Sequence, residues 1–585
     1  MKLGMRRLGL GVAVLGLVLG GAAQAHAQTG TQDPRVGLRA GLTDAGEAIS
    51  NMVHVGHTPR PEGFINPDNP GDLNFANSDL AFRGSHVVVG NFGGFQIYDV
   101  SDPANPVLRT ALICPGGQGD VSIAGNLVFM SVEQPRGRID CGVDAPAQAV
   151  SPERFLGVRV FDISDMDRPR QVAAIQTCRG SHTHSLLQHP GDSENIYVYV
   201  AGAVGRVRPE EELAGCIGAP EDPRTALFRI EVIRVPLAAP QNAAVVSEPR
   251  VFADQAGNIA GLWAGGDHGP ETQRTAVTNH CHDITTYPEL GLAAGACSGN
   301  GILLDVSDPV SPRRIDEVID PNFAYWHSAT FNNDGTTVIF TDEWGGGTQP
   351  RCRVTDRPEW GANAIFRVVD GAMELAGYYK LPAAQTETEN CVAHNGSLVP
   401  VPGRDIKVQA WYQGGISVFD FTDPENPFEI AYFDRGPISA ERLYTGGYWS
   451  AYWYNGHVYG SEIARGLDIF TLSPSEHLSQ NEIDAANLIR WDEFNPQHQP
   501  RLSWPANATV ARAYLDQLER SGGLQAGVIA GIRGELDGTD RARLASRATD
   551  LEASARGAQT AGRAIDARRI GQLADTLRRM AGEQQ

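Results

Sequence analysis

The feature that most constrains this chain is the stretch Gly93-Gly94-Phe95-Gln96-Ile97-Tyr98-Asp99-Val100-Ser101-Asp102-Pro103, because it recurs. Close copies are Gly157-Val158-Arg159-Val160-Phe161-Asp162-Ile163-Ser164-Asp165, Gly301-Ile302-Leu303-Leu304-Asp305-Val306-Ser307-Asp308-Pro309 and Gly415-Ile416-Ser417-Val418-Phe419-Asp420-Phe421-Thr422-Asp423-Pro424. Fainter copies lie at 226–235, 364–369 and 466–470. Each reads as a short alternating apolar strand. The clear copies close it with a Ser/Thr-Asp turn, where Asp caps its own turn and a following Pro cannot extend the ladder. Seven units, spaced by roughly 50 to 70 residues, predict an all-β fold: a seven-bladed β-propeller.

Without that repeat, 585 residues would suggest several domains. The net charge of −21 excludes a nucleic-acid partner, which needs Lys and Arg against its phosphates. Residues 1–27 read as a secretory signal, with Lys2, Arg6 and Arg7 ahead of the apolar Leu8–Leu19 and small residues at Ala23, Ala25 and Ala27. The apolar run is short for a bilayer span, so no stable membrane span is expected after cleavage. Arg6-Arg7-Leu8 faintly resembles a twin-arginine signal, leaving the export route open. The expected location is periplasmic or secreted.

Residues 28–48 are polar and Gly- and Thr-rich and predict a disordered segment. A circular array of sheets must be closed, and an unpaired edge is a hazard. Ile49 to His57 is therefore expected to supply the outer strand of the last blade, which otherwise ends at Leu472, making 49–472 the propeller. On this reading His54 and His57 are strand or turn residues, not ligands. Residues 473–505, with Pro496, Pro500 and Pro505, read as an extension wrapped along the propeller or a linker. From 506 to 585 the period turns helical, with Val510, Tyr514, Leu515 and Leu518 on one face and a break at Gly522-Gly523. Three or four short helices are expected, their Arg residues interleaved with acids on a solvated surface.

Working back from each repeat turn places inner strands near Leu73, Asp120, His184, His282, His327, His394 and Trp449. Four adjacent blades thus open with histidine: Ser181-His182-Thr183-His184, Asn279-His280-Cys281-His282-Asp283, Trp326-His327-Ser328 and Ala393-His394-Asn395. Inner strands line the central channel, and neutral imidazole is a common ligand for zinc, copper or iron. The candidate metal ligands are His184, His282, His327 and His394, with His182 and His280 as alternative ligands or flanking groups. His-x-His on a strand sends both rings to one side. Asp283 and Glu343 are the candidate catalytic groups, placed to orient a ligand or move protons. Glu133, Asp342, Glu343 and Glu462 end second strands on the same rim, where a solvated fate is expected for most of them. The bland alternative is that the histidines bond backbone carbonyls and stiffen the hub.

Eight cysteines map onto that rim. An even count in an exported chain implies disulfides, and the shared rim predicts neighbour pairing: Cys114–Cys141, Cys178–Cys216, Cys281–Cys297 and Cys352–Cys391. Thiolate ligation by Cys281 is the competing reading, unsupported by any Cys-x-x-Cys spacing. The aromatic run Tyr444 to Tyr454 predicts inter-blade packing, with one or two rings at a channel mouth. No phosphate-binding loop and no Gly-x-Ser-x-Gly elbow is present, and Gly345-Gly346-Gly347 reads as a flexible loop.

The Ile-Tyr-Asp-Val-Ser-Asp-Pro signature and the segment Cys114-Pro115-Gly116-Gly117-Gln118-Gly119-Asp120 resemble the LVIVD-repeat family of secreted bacterial proteins over about 49–500. That resemblance implies a seven-bladed propeller and little about function. The histidine placement is also similar to that of the selenium-binding protein/methanethiol oxidase propellers, which implies copper and thiol oxidation by analogy; their longer histidine motifs are not matched here. Two functions are compatible with the residues. One is an exported metal-dependent oxidase or hydrolase acting on a small molecule. The other is a binding or scaffold propeller engaging a protein partner through its face or its helices.

Overall fold

The computed structural model describes residues 33–203, 207–538 and 540–582; the signal expected at 1–27 lies outside them. Seven antiparallel sheets form a β-propeller, at 77–113, 121–176, 184–247, 283–318, 326–379, 396–435 and 448–472. The repeat turns behave as their chemistry requires. Asp99, Asp162, Asp305 and Asp420 each accept the amide two residues ahead at 2.7–3.0 Å. Gly94 and Gly157 open the third strands with φ near 145°, and a Cβ there would lie about 2 Å from a carbonyl of the outer strand. Inner strands begin within two residues of their expected starts except in the first blade. There Leu73–Phe75 winds into a 3-10 turn capped by Asp72, and the strand starts at Asn77.

The core lies between blades, not within them. One apolar cluster joins each neighbouring pair, and the seven clusters make a closed ring. The last pair is sealed by the N-terminal segment, which is two strands where one was expected. Glu47–Ser50 adds a fifth strand to the sixth blade, and Met52–Thr58 is the outer strand of the seventh. The chain steps between them at Asn51, held at φ 57° with its amide on the Ile430 carbonyl at 2.8 Å. Met52–Thr58 carries the bulge against the third strand that every other outer strand carries, here between His54 and Gly56. It is a true fourth strand. Of the segment expected at 28–48, residues 28–32 lie outside the described residues, and the part from residue 33 runs beside the sixth blade. Arg35 is buried over the Tyr432 ring at 3.9 Å and pairs with Asp33 and Glu429 at 2.8 and 2.7 Å.

His54 and His57 serve closure, as strand residues. His54 Nε2 and His57 Nδ1 lie 2.8 and 2.9 Å from the Asp468 carboxylate, which also takes Arg435 at 3.2 Å and the Tyr448 hydroxyl at 2.8 Å.

All four disulfides form the neighbour pairs expected, so Cys281 is bonded to Cys297 and is no thiolate ligand. Five helices follow the propeller: α1 (Gln480–Ala486), α2 (Ala508–Arg520), α3 (Ala526–Glu535), α4 (Arg541–Thr560) and α5 (Ala564–Met580). The last four share an apolar core and dock on the sixth blade, where Gln517 bonds the Pro402 carbonyl at 2.8 Å. Buried Glu482 of α1 pairs with Arg404 and Arg520, tying propeller to helices. No helix among the described residues is long and apolar enough to cross a membrane.

Between α1 and α2 the chain crosses the lower mouth of the channel as a strap. Glu493–Phe494 pairs with the first blade. The Asn495 side chain then bonds both the N–H and C=O of Ile123, each at 2.7 Å, and Gln499 does the same to Phe331 at 3.0 and 2.9 Å. The strap backbone brackets Thr286, and Gln497 donates to Asp79 at 2.7 Å. Inner-edge backbone groups that no neighbouring strand reaches are thereby satisfied.

Burial alone pushes the Asp468 carboxyl up, but the bonds to His54 and His57 and the Arg435 charge outweigh it and hold it well below the ordinary range. A depressed folded pKa contributes stability above the unfolded value of about 3.9 and loses it as pH falls through the folded value. Asp468→Asn is expected to cost about 3–5 kcal/mol at neutral pH, and its thermal unfolding should converge on wild type as pH falls below about 4. Asn495→Ala and Gln499→Ala each strand two buried backbone groups; a loss of about 1–3 kcal/mol each is expected in denaturant unfolding.

Candidate functional site

The strap lies across the lower mouth, and the channel opens at the rim where inner strands begin. A cavity of about 580 Å³ occupies that end. Its floor carries His182, His282, Glu133 and Glu343, and its walls carry Phe92, Tyr325, Trp344, Tyr412 and Trp449. Gly345, Gly346 and Gly347 all take left-handed φ in a 3-10 turn beside Trp344, and a Cβ on Gly347 would lie 2.1 Å from the Tyr412 hydroxyl. Gly345 and Gly346 of the run line the cavity beside Trp344. Trp449, from the aromatic run at 444–454, is the ring that reaches the mouth.

The four histidine-bearing blades place one imidazole each in an arc. Ring centroids step 4.3 Å from His182 to His282, 3.8 Å to His327 and 4.2 Å to His394. His182 Nε2 meets His282 Nε2 at 2.6 Å. The opposite nitrogens are held from outside: His182 Nδ1 lies 2.6 Å from Glu133, His282 Nδ1 3.2 Å from Asp283, and His394 Nδ1 bonds the Trp449 carbonyl. His327 Nε2 and His394 Nε2 are buried without a hydrogen-bond partner, 3.8 and 3.6 Å from the two oxygens of Glu343. Glu343 also accepts the Tyr412 hydroxyl at 2.6 Å.

Among the described residues two clusters are compact enough to hold a metal ion: His282, Asp283 and His327; and His327, Glu343 and His394. Burial drives His282, His327 and His394 well below the ordinary imidazole value. It pushes Asp283 and Glu343 up to about 7. Glu133 and His182 differ: burial opposes both charges, but the pair stabilises itself, so the carboxyl falls and the imidazole rises.

His184 stands apart from the arc. Its Nδ1 bonds Ser131 at 2.8 Å and lies 3.3 Å from Asp120, deeper between the second and third blades, where burial lowers it to about 3. His182 takes the place expected of His184, because the inner strand begins only at His184 and the loop before it turns His182 into the mouth. His280 flanks the arc, with Nδ1 on Asn279 at 2.7 Å and Nε2 on the Tyr325 hydroxyl at 3.0 Å. The rim acids are not solvated. Asp342 accepts Ala324, Tyr325 and Gly361 amides, and Glu462 accepts those of Gly447, Ala464 and Arg465, so both tie loops inward.

Three groups escaped the sequence reading. Asp79 and Asp120 sit buried below the arc, and burial pushes both carboxyls up. Buried Lys407 has no hydrogen-bond partner, and burial lowers it to about 7. A signal for Asp120 was present, since it stands one residue ahead of its inner strand as His282 does, whereas Asp79 lies inside its strand, one residue beyond the register of His327.

No protein-family model matches the chain, and no curated protein matches it; the LVIVD resemblance therefore rests on the repeat signature and the Cys114–Asp120 segment. Among solved structures it is similar to hydrazine synthase from Kuenenia stuttgartiensis (10% identity, TM-score 0.40, covering 68% of this chain and 95% of that one). It is also similar to a proposed 6-phosphogluconolactonase from Bacteroides fragilis (10% identity, TM-score 0.38, 67% and 89%). A third is a protein of unknown function from Desulfotomaculum acetoxidans (10% identity, TM-score 0.36, 62% and 90%). Likenesses this distant assign no family and no activity. The class defined by fold and site is a seven-bladed propeller with buried His/Asp/Glu clusters able to bind metal.

Proposed function

We propose that this protein is an exported propeller that binds one transition metal in its channel and acts on a small molecule as a metal-dependent oxidase or hydrolase. The observation that carries the reading is the orientation of the arc. Nδ1 of His282 and of His394 is engaged from outside, while the Nε2 atoms of His327 and His394 are buried, unpartnered and turned towards Glu343. Anchoring the outer nitrogen of a liganding imidazole on a carboxylate or carbonyl is what fixes its tautomer for a metal. His282, His327 and His394 would be the imidazole ligands, Glu343 the carboxylate, and Asp283 the group orienting His282. His182 stands in the arc where His184 was expected and is paired there with Glu133.

The donor set suits copper, zinc or iron. Bound there, such an ion would supply Lewis-acid or redox chemistry. Glu343, with Tyr412 donating to it, would position a substrate group above the arc, and Glu133–His182 would hold a proton at the cavity floor. Four disulfides fit an oxidising compartment, which supports export through the segment at 1–27.

Elemental analysis of protein exported to a periplasm and purified without chelator tests the reading. About one equivalent of a transition metal is expected, absent from a folded His282→Ala/His327→Ala variant. No metal in either protein, even after reconstitution with copper, zinc and iron, would leave a scaffold propeller with a structural histidine ring.

A further inference from the structure

The walls of the cavity say what kind of molecule fills it, an inference that rests on reading the cavity as the reaction site. Above the arc five aromatic rings line the cavity, with Thr275, Thr348, Thr445 and small residues between them. Phe92 meets Trp449 edge-on at 5.8 Å, and Tyr412 meets Trp449 the same way at 6.1 Å. Trp344 carries the Arg351 guanidinium over its ring at 3.7 Å, which fixes the indole beside the mouth. The wall tyrosines have no hydroxyl to spare: that of Tyr325 is engaged by His280 and that of Tyr412 by Glu343. What the walls offer a ligand is aromatic surface.

Charge is matched elsewhere. The lining arginine, Arg274, has a side chain 78% exposed, 3.7 Å from Asp267, and is worth little to a buried anion. The floor below is acidic, with Glu133, Asp283 and Glu343 around the arc, so a buried anion would face carboxylates. Carboxylates open to a cationic ligand are few: Glu133 is paired with His182, and Glu343, which accepts the Tyr412 hydroxyl, faces two floor imidazoles at 3.8 and 3.6 Å. Buried Lys407 is not part of the lining.

We infer that the ligand is an uncharged aromatic molecule, its ring packed on Phe92, Trp344 and Trp449 and its polar substituent directed down at the histidine arc. A volume of about 580 Å³ lies within the ordinary range for small-molecule sites, and offset or edge-on ring contacts supply affinity without charge.

Calorimetric titration of the full-length chain, metal-loaded and chelator-stripped, with benzyl alcohol, benzoate, benzylamine and cyclohexylmethanol tests this. Benzyl alcohol is expected to bind the stripped chain at least about 10-fold more tightly than the other three. Trp344→Ala and Trp449→Ala should each weaken it by about 10-fold with metal content unchanged. Trp344 stands on a loop, so its variant decides the matter if Trp449→Ala, in an inner strand, fails to fold. Benzoate, benzylamine or cyclohexylmethanol binding the stripped chain as tightly as benzyl alcohol would overturn the inference, as would folded variants that bind like wild type. Because the contacts come from the walls, a chain that binds benzyl alcohol but holds no metal would sink the metal reading and leave this one standing.

Discussion

Everything in this molecule depends on closing a ring. Each sheet buries its faces against its neighbours, so the apolar clusters exist only between blades, and an open ring would expose two whole faces to water. Closure is a long-range event. Met52–Thr58 must find Gly466–Leu472 across more than four hundred residues, and it does so through regular ladder bonds plus one charged lock at Asp468. The lock is specific where apolar burial is not. A carboxylate buried without partners is costly, and this one is matched by two imidazoles, a guanidinium and a phenol. A register slip would leave those charges unmatched.

The same closure turns a sheet edge into a vessel. Inner strands present unpaired backbone groups to the channel, and in the lower half the strap from Asn495 to Gln499 supplies them with amide partners. Asn and Gln side chains serve here because one primary amide offers a donor and an acceptor, the same pair a neighbouring strand would offer. The channel therefore has a floor, and the polar residues above it face a one-ended space.

How much of this was legible depends on whether the signal was periodic. The blades were, because four of the seven third strands carry a glycine at the start and an Asp-x-Ser/Thr turn at the end, and these recur in the sequence. The disulfides followed, since the strand map put both partners of each pair on one rim. The strap was not legible. Asn495-Pro496-Gln497-His498-Gln499-Pro500 has no apolar period, and its side chains act on backbone groups hundreds of residues away. The choice of His182 over His184 was hidden for a smaller reason. The rule that i and i+2 share a face holds within a strand, and His182 lies two residues before its strand begins. Most of the acids Glu133, Asp342, Glu343 and Glu462 were expected to meet solvent because they end strands, yet the loops fold them inward.

Asp468 and Glu343 show how structure and site can be told apart in one chain. Both are buried acids, and burial pushes both carboxyls up. At Asp468 the surrounding histidines and arginine reverse the shift, and every oxygen is held by groups that cannot leave without opening the ring. At Glu343 no cation has been built in: a tyrosine donates one hydrogen bond, two imidazole Nε2 atoms stand beyond bonding distance, and the carboxyl rises to about 7. A carboxylate with its counter-charges supplied is a rivet. One surrounded by lone pairs of buried, neutral imidazoles has its polar neighbours on the same side of the ledger, as acceptors, and such an arrangement is stable in a folded interior only with protons or a cation among them. The arc is where the fold leaves that requirement open, at the only end of the channel that the strap does not cover.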